Sequence, residues 1–290
     1  MNAPDFDVDL SPQNQSILRL AWATDIHMNC VDGPATEAFV KAMRQGGDVV
    51  LLGGDISESH DVCDWLERLG QSLERPICFV LGNHDYYMGD IEGTRGAVAS
   101  FADKSPAVTW LGAGQVVKLG PSTALVGHGG WGDARLGDFM GTPVRLNDHR
   151  LIKDLSGLPR AVLKQRLHDL GTQAADALSP ALERAARWAE HVLVLTHVPP
   201  FLEACWHEGQ ISGPQWAADF TCQATGDALL QSAAAHPNVF FEVLCGHTHS
   251  PGHVSMRPNL KVITAGAVYG HPKLAATIAV RQTPDTDKFS

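Results

Sequence analysis

Five short apolar runs, Ile17–Ala23, Val49–Leu52, Ile77–Leu81, Val192–Leu195 and Val239–Leu244, are nearly continuous in hydrophobicity and bounded by turn residues. Runs of that length and composition predict strands buried on both faces. Helical periodicity fills Pro34–Arg44 and Val62–Leu73 between the first three. Strand, helix and strand in alternation predict parallel strands joined by crossover helices. Further strands are expected at Val108–Leu111, Val116–Leu119, Thr123–Val126, Leu260–Thr264 and Ala275–Val280. The last two have no clear helix between them, which suggests antiparallel or mixed pairing near the C-terminus.

The stretch from about 131 to 190 breaks this rhythm. It leaves a Gly-rich loop, GHGGWGDARLGDF, and becomes helical over Pro159–Leu170 and Gln173–Ala189, with charges of both signs. It reads as a helical elaboration on a single domain spanning residues 1–290. The residues from Thr283 onward read as a loose polar tail.

Each of the five main runs ends in side chains suited to metals. The first gives Asp25-Ile26-His27, the second Gly54-Asp55, the third Gly82-Asn83-His84-Asp85, the fourth Thr196-His197, and the fifth Gly246-His247-Thr248-His249. On an extended chain, positions i and i+2 point to one face, so Asp25 with His27 and His247 with His249 are expected to reach a common ion. Ligands of open α/β sheets bind beyond the carboxyl ends of strands, where all five tips would converge. Gly54, Gly82 and Gly246 precede the polar residues where the chain must turn without a Cβ clash. Carboxylates, an amide and imidazoles make a mixed nitrogen and oxygen site that suits transition metals better than calcium.

Composition narrows the reading. A formal net charge of −10 argues against general nucleic-acid binding, although bound cations would still allow a phosphate substrate. The six cysteines form no CxxC pair and read as reduced thiols. Without a visible signal peptide or an apolar run of about 20 residues, a cytoplasmic protein with no membrane partner is expected.

The motifs DIH, GD, GNHD, TH and GHTH, spread from Asp25 to His249, resemble those of the calcineurin-like metallophosphoesterase superfamily. The resemblance implies a mixed α/β, four-layer αββα sandwich of two mixed sheets flanked by helices. It also implies two divalent ions. Asp25, His27 and His249 would hold one, Asn83, His197 and His247 the other, and Asp55 would bridge them. Manganese is the first expectation, with iron, zinc, cobalt, nickel or magnesium as alternatives. Two ions about 3.5–4 Å apart can share a hydroxide that attacks a phosphate mono- or diester in line. His84 would then assist the leaving oxygen, with Asp85 orienting its ring.

Glu58 stands where purple acid phosphatases carry a tyrosine ligand, and the stretch after Asp55 departs from the protein phosphatase pattern. The pattern is closest to bacterial phosphohydrolases and cyclic-nucleotide phosphodiesterases, so a small phosphate ester, such as a nucleotide, is the expected partner. A nuclease and a non-catalytic scaffold are the alternatives; the charge speaks against the first and the full ligand set against the second. His128 and Trp131 are candidate substrate contacts, Trp131 by stacking. His60, His207, Arg135, Arg145 and Arg150 are further rim residues, for which surface solvation is the simpler reading.

Overall fold

Alternation inside the apolar runs sets the layers. The computed structural model describes residues 5–282, so the expected polar tail lies outside the described residues. A 5-stranded sheet runs in the order β14 (Ala276–Arg281), β2 (Ile17–Ala23), β3 (Val49–Gly53), β4 (Ile77–Val80), β5 (Val108–Trp110). The last four are mutually parallel and β14 is antiparallel to β2. Their crossovers are α1 (Gly33–Gly46), α2 (Val62–Leu73) and α3 (Ile91–Lys104).

A 7-stranded sheet runs β1 (Val8–Asp9), β6 (Val117–Gly120), β7 (Thr123–Gly127), β8 (His191–Leu195), β11 (Phe240–Cys245), β13 (Leu260–Thr264), β12 (Gly252–Arg257). A small hairpin, β9 (Trp206–His207) and β10 (Gln210–Ile211), lies outside both sheets.

Leu20, Trp22, Leu51 and Val80 of the first sheet meet Leu125, Leu195 and Leu244 of the second in a shared core between the sheets. Their strand neighbours Ala21, Ala23, Val50 and Phe79 face outward, under α1 and α2. On the second sheet Val126, Val194 and Val243 face the opposite way, under helices. Both faces of each sheet are therefore buried, which is why the runs show no polar alternation. At about 1.5–3 kcal/mol for each fully buried large aliphatic side chain, this layering dominates the driving force. Two mixed sheets between helical layers are the expected αββα sandwich.

Three details differ from expectation. The helical region is one helix, α5 (Arg160–Ala186), with Pro180 inside it. Gly171 does not break it, because Asp133 and Arg135 pack where its Cβ would stand. Leu178, Ala181 and Leu182 are buried around the proline and offset its lost hydrogen bond. The second half of α5 covers the 7-stranded sheet together with α7 (Gln223–Ala235), so half of the elaboration is an outer layer of the fold itself. The mixed pairing near the C-terminus is present, but β13 and β14 fall in different sheets. No helix among the described residues is long and apolar enough to cross a membrane.

Candidate dinuclear metal centre

Strands β2, β3 and β4 of one sheet and β8 and β11 of the other end at one place. Asp25, His27, Asp55, Asn83, His197, His247 and His249 all lie just beyond those ends. Five of them do not lie on the extended chain that i, i+2 spacing supposes. Asp25, His27, Asp55, His247 and His249 have φ of 54°, 42°, 51°, 69° and 56°, all left-handed. Alternate residues are kinked inward after the strand has finished. Such conformations cost about 1–3 kcal/mol each for residues with a Cβ and persist only where the surroundings enforce them.

Backbone bonds across strand ends do that here. The Asp25 amide donates to Gly54 O (3.0 Å) and the His27 amide to Asp55 O (2.9 Å). The His247 amide donates to Asp25 Oδ1 (2.9 Å) and the His84 amide to Asp55 Oδ1 (2.8 Å). Gly54 does need its left-handed φ of 90°. Gly82 and Gly246 serve differently: a Cβ would strike the Asp55 carboxylate at one and the Asp25 carboxylate at the other.

Two clusters of lone pairs result. In the first, single donor atoms of Asp25, His27, Asp55 and His249 lie within 4.8 Å of one another, a group able to hold a metal ion. His27 Nε2 and His249 Nε2 face each other at 3.3 Å, and His249 Nε2 is 3.2 Å from Asp25 Oδ1.

In the second, His197 Nε2 and His247 Nδ1 each lie 3.0 Å from Asn83 Oδ1 and 3.2 Å from each other. Their protons are assigned outward by second partners: His197 Nδ1 to Gly53 O (2.9 Å) and His247 Nε2 to Asp219 O (3.2 Å). Asn83 Nδ2 likewise donates to Asp148 (2.8 Å), which turns its oxygen inward. Three acceptors thus face one another, with Asp55 Oδ1 3.4 Å from His197 Nε2. A cation satisfies that arrangement, so the donor set fits a second ion beside the first.

The electrostatics agree. Burial, then the neighbouring Asp25 and Asp85 carboxylates, push the Asp55 carboxyl well above its ordinary range. A dication between these acids would let them ionise. Burial lowers His27 to about 3 and His197 to about 4, so both rings are neutral, as ligands must be.

A family model for calcineurin-like phosphoesterases matches residues 18–251. The chain belongs to the calcineurin-like phosphoesterase family. A zebrafish (Danio rerio) transmembrane protein with metallophosphoesterase domain is 33% identical over 94 residues, which are 31% of this chain and 22% of that protein. The chain thus spans well under two thirds of the length of this curated relative.

Among solved structures, the phosphopantetheinyl hydrolase of Mycobacterium tuberculosis superposes with a TM-score of 0.61 at 14% identity, covering 93% of this chain and 98% of that one. A dimetal phosphatase from Danio rerio gives 0.54 at 16% identity, covering 93% and 94%. At these identities the likeness is one of fold.

Beside these two clusters this calcineurin-like phosphoesterase has a cavity of about 260 Å³ lined by Asp55, Asn83, His84, His247 and His249. His84 Nε2 lies 3.9 Å from Asp55 Oδ2. The ring stacks on Tyr87 (centroids 4.2 Å apart, 28° between planes), and burial lowers its pKa to about 4. Asp85 does not orient it. Both Asp85 oxygens are occupied by backbone amides of Ile56, Ser57 and Gly82 at 2.8–2.9 Å. Asp85 is a clamp joining the loops that carry Asp55 and Asn83.

His128 and Trp131 do not line the cavity. Gly130 donates to His128 Nδ1 (3.0 Å), fixing a buried turn, and burial lowers that imidazole to about 3. Trp131 is 3% exposed and packs on Tyr86 in the core. His207 does reach the cavity wall. His60 is exposed beside Glu58 and Asp61, and Arg135 pairs with the buried Asp133 (2.8 Å).

Asp148, Tyr87 and Tyr269 were not anticipated. Asp148, from the short helix α4 (Asp148–Leu151), also accepts from Tyr87 Oη at 2.7 Å. The Tyr269 ring lies 4.4 Å from that of His27, with its hydroxyl 3.5 Å from His84 Nε2. No short motif marks these residues; chain folding alone brings them to the site.

Proposed function

We propose that this phosphoesterase binds two divalent ions and hydrolyses a small phosphate mono- or diester. Asp25, His27 and His249 hold one ion, Asn83, His197 and His247 the other, and Asp55 serves both. The observation that carries the reading is the second cluster, where Asn83 Oδ1, His197 Nε2 and His247 Nδ1 converge within 3.0–3.2 Å with their protons held outward. When bound, the ions supply a nucleophile from water near neutral pH and neutralise charge on phosphoryl oxygens.

The chain's own contribution is positional. His84 presents Nε2 beside Asp55 and donates to the leaving oxygen, while Tyr87 holds the plane of its ring. Asp85 keeps the two ligand-bearing loops in register. The net charge of −10 favours a small ester, such as a nucleotide, over a nucleic acid. Manganese is the ion to test first, and six free thiols support a reducing, cytoplasmic compartment.

The test is a manganese-supplemented panel of bis-p-nitrophenyl phosphate, p-nitrophenyl phosphate, cyclic nucleotides and single-stranded DNA. Turnover of small esters that outpaces turnover of DNA is expected. Turnover of DNA alone would replace this reading with a nuclease, and turnover of none with both ions bound would favour a scaffold.

A further inference from the structure

The segment between β13 and β14 holds no helix or strand, yet it is fixed against the loop that carries His247 and His249. The Ala267 amide donates to His249 O (3.1 Å), and a Cβ on Gly266 would stand 2.9 Å from Pro251 Cδ. The His271 amide then donates to Val268 O (3.0 Å), closing a turn with Tyr269 and Gly270 at its centre. Gly270 takes the left-handed φ, 76°, that such a turn requires of its third residue.

The turn sets Tyr269 in the wall of the cavity beside the two clusters. Its ring lies 4.4 Å from that of His27 and 5.0 Å from that of His249, and the residue is 50% exposed. Its Oη is 3.5 Å from His84 Nε2, which is itself 3.9 Å from Asp55 Oδ2. Phenol, imidazole and carboxylate therefore share one corner, and all three residues line the cavity. Among the described residues, His84 is the one hydrogen-bond partner of that hydroxyl. Two donors 3.5 Å apart can both lie at an ordinary hydrogen-bond distance, about 2.7–3.0 Å, from a single oxygen.

We propose that Tyr269 is a second catalytic donor, whose hydroxyl hydrogen-bonds the leaving oxygen of the ester together with His84. This rests on the hydrolysis proposed above, in which His84 serves that oxygen. As the P–O bond breaks, the leaving oxygen takes the electron pair and the proton from His84 Nε2. Tyr269 keeps its own proton and offsets charge through the hydrogen bond alone. That contribution grows with the charge developing on the oxygen, so it matters most for basic leaving groups.

Tyr269→Phe keeps the ring and removes the hydroxyl. The manganese-loaded variant is assayed on p-nitrophenyl phosphate with phenyl phosphate, and on bis-p-nitrophenyl phosphate with diphenyl phosphate. In the pair that the wild type hydrolyses, kcat should fall about tenfold or more on the phenyl ester and no more than about threefold on the nitrophenyl ester. Metal content should match the wild type. An equal fall on both esters, no fall, or loss of an ion would overturn the assignment. The double variant His84→Ala/Tyr269→Phe separates contact with the leaving oxygen from steering of the imidazole. On the phenyl ester it should be slower than His84→Ala by about threefold or more, and equal rates would overturn the contact. Wild-type protein that turns over neither pair would refute the hydrolysis itself; normal wild-type turnover with an unchanged Tyr269→Phe variant refutes only the role of Tyr269.

Discussion

Replacing Asp148 by alanine isolates the contribution of the segment that encloses the site. The carboxylate accepts from Asn83 Nδ2 (2.8 Å) and Tyr87 Oη (2.7 Å), both buried. Hydrogen bonds to a charged acceptor contribute about 1.5–3 kcal/mol each, and two donors would be stranded. One effect opposes this loss: Asp148 is among the acids that push Asp55 up, so its removal relieves like-charge repulsion. The net cost to the metal-free protein should then be about 1–3 kcal/mol, below the sum of the two bonds.

Ion affinity should suffer more clearly. With Nδ2 untethered, Asn83 is free to turn its amide nitrogen toward His197 and His247, and one nearby negative charge is gone. Loss of such supporting partners costs about 10–100-fold in affinity. Calorimetric titration with manganese should show one ion weakened by that factor, with the ion held by Asp25, His27 and His249 little changed. Two ions bound at wild-type affinity in Asp148→Ala would refute the claim that the Asn83–Asp148 bond sets the ligand's orientation.

His84→Ala should lower turnover of a poor-leaving-group ester by about 10²–10⁴-fold while both ions stay bound, checked by kinetics and metal analysis. Gly246→Ala would push a methyl into the Asp25 carboxylate and to 2.8 Å from Thr24 Cγ2. About 1–3 kcal/mol of destabilisation and loss of the adjacent ion should appear in denaturation curves and metal content. Burial lowers His27 and His128 to about 3 and His84 and His197 to about 4. The unfolded chain therefore takes up more protons at these four sites between pH about 6.5 and 4, and metal-free stability should fall through that window by up to about 1.4 kcal/mol per pH unit for each ring. Asp55 and Asp85, both raised by burial, work the other way, but the four histidines outnumber them. Urea midpoints in EDTA that do not move between pH 7 and 5 would contradict this sign.

Strands β2, β3, β4, β8 and β11 were legible because both their faces are buried, leaving unbroken apolar runs that stop at polar tips. Helix α3 was not: Gly93, Thr94 and Gly96 dilute its periodicity, and its Asp90 cap, which accepts from the Gly93 amide at 2.7 Å, is a local signal that went unread. The break expected within α5 failed because Gly171 serves packing against Asp133. At the site, residue types in motifs were readable but backbone conformation was not: left-handed φ at Asp25 and His247 is imposed by bonds between strands far apart in sequence. Asp85 was misread for a related reason, since its three amide partners come from two different loops. The glycines before Trp131 suggested an exposed loop, yet Trp131 and His128 turn into the core.

One set of ligands is proposed to hold a pair of ions. Equilibrium dialysis against manganese, followed by metal analysis and assay on bis-p-nitrophenyl phosphate, tests it most directly. Two ions per chain are predicted, with hydrolysis abolished by EDTA and restored by manganese. A single ion or none at saturation, or hydrolysis undiminished in the metal-free protein, would contradict it.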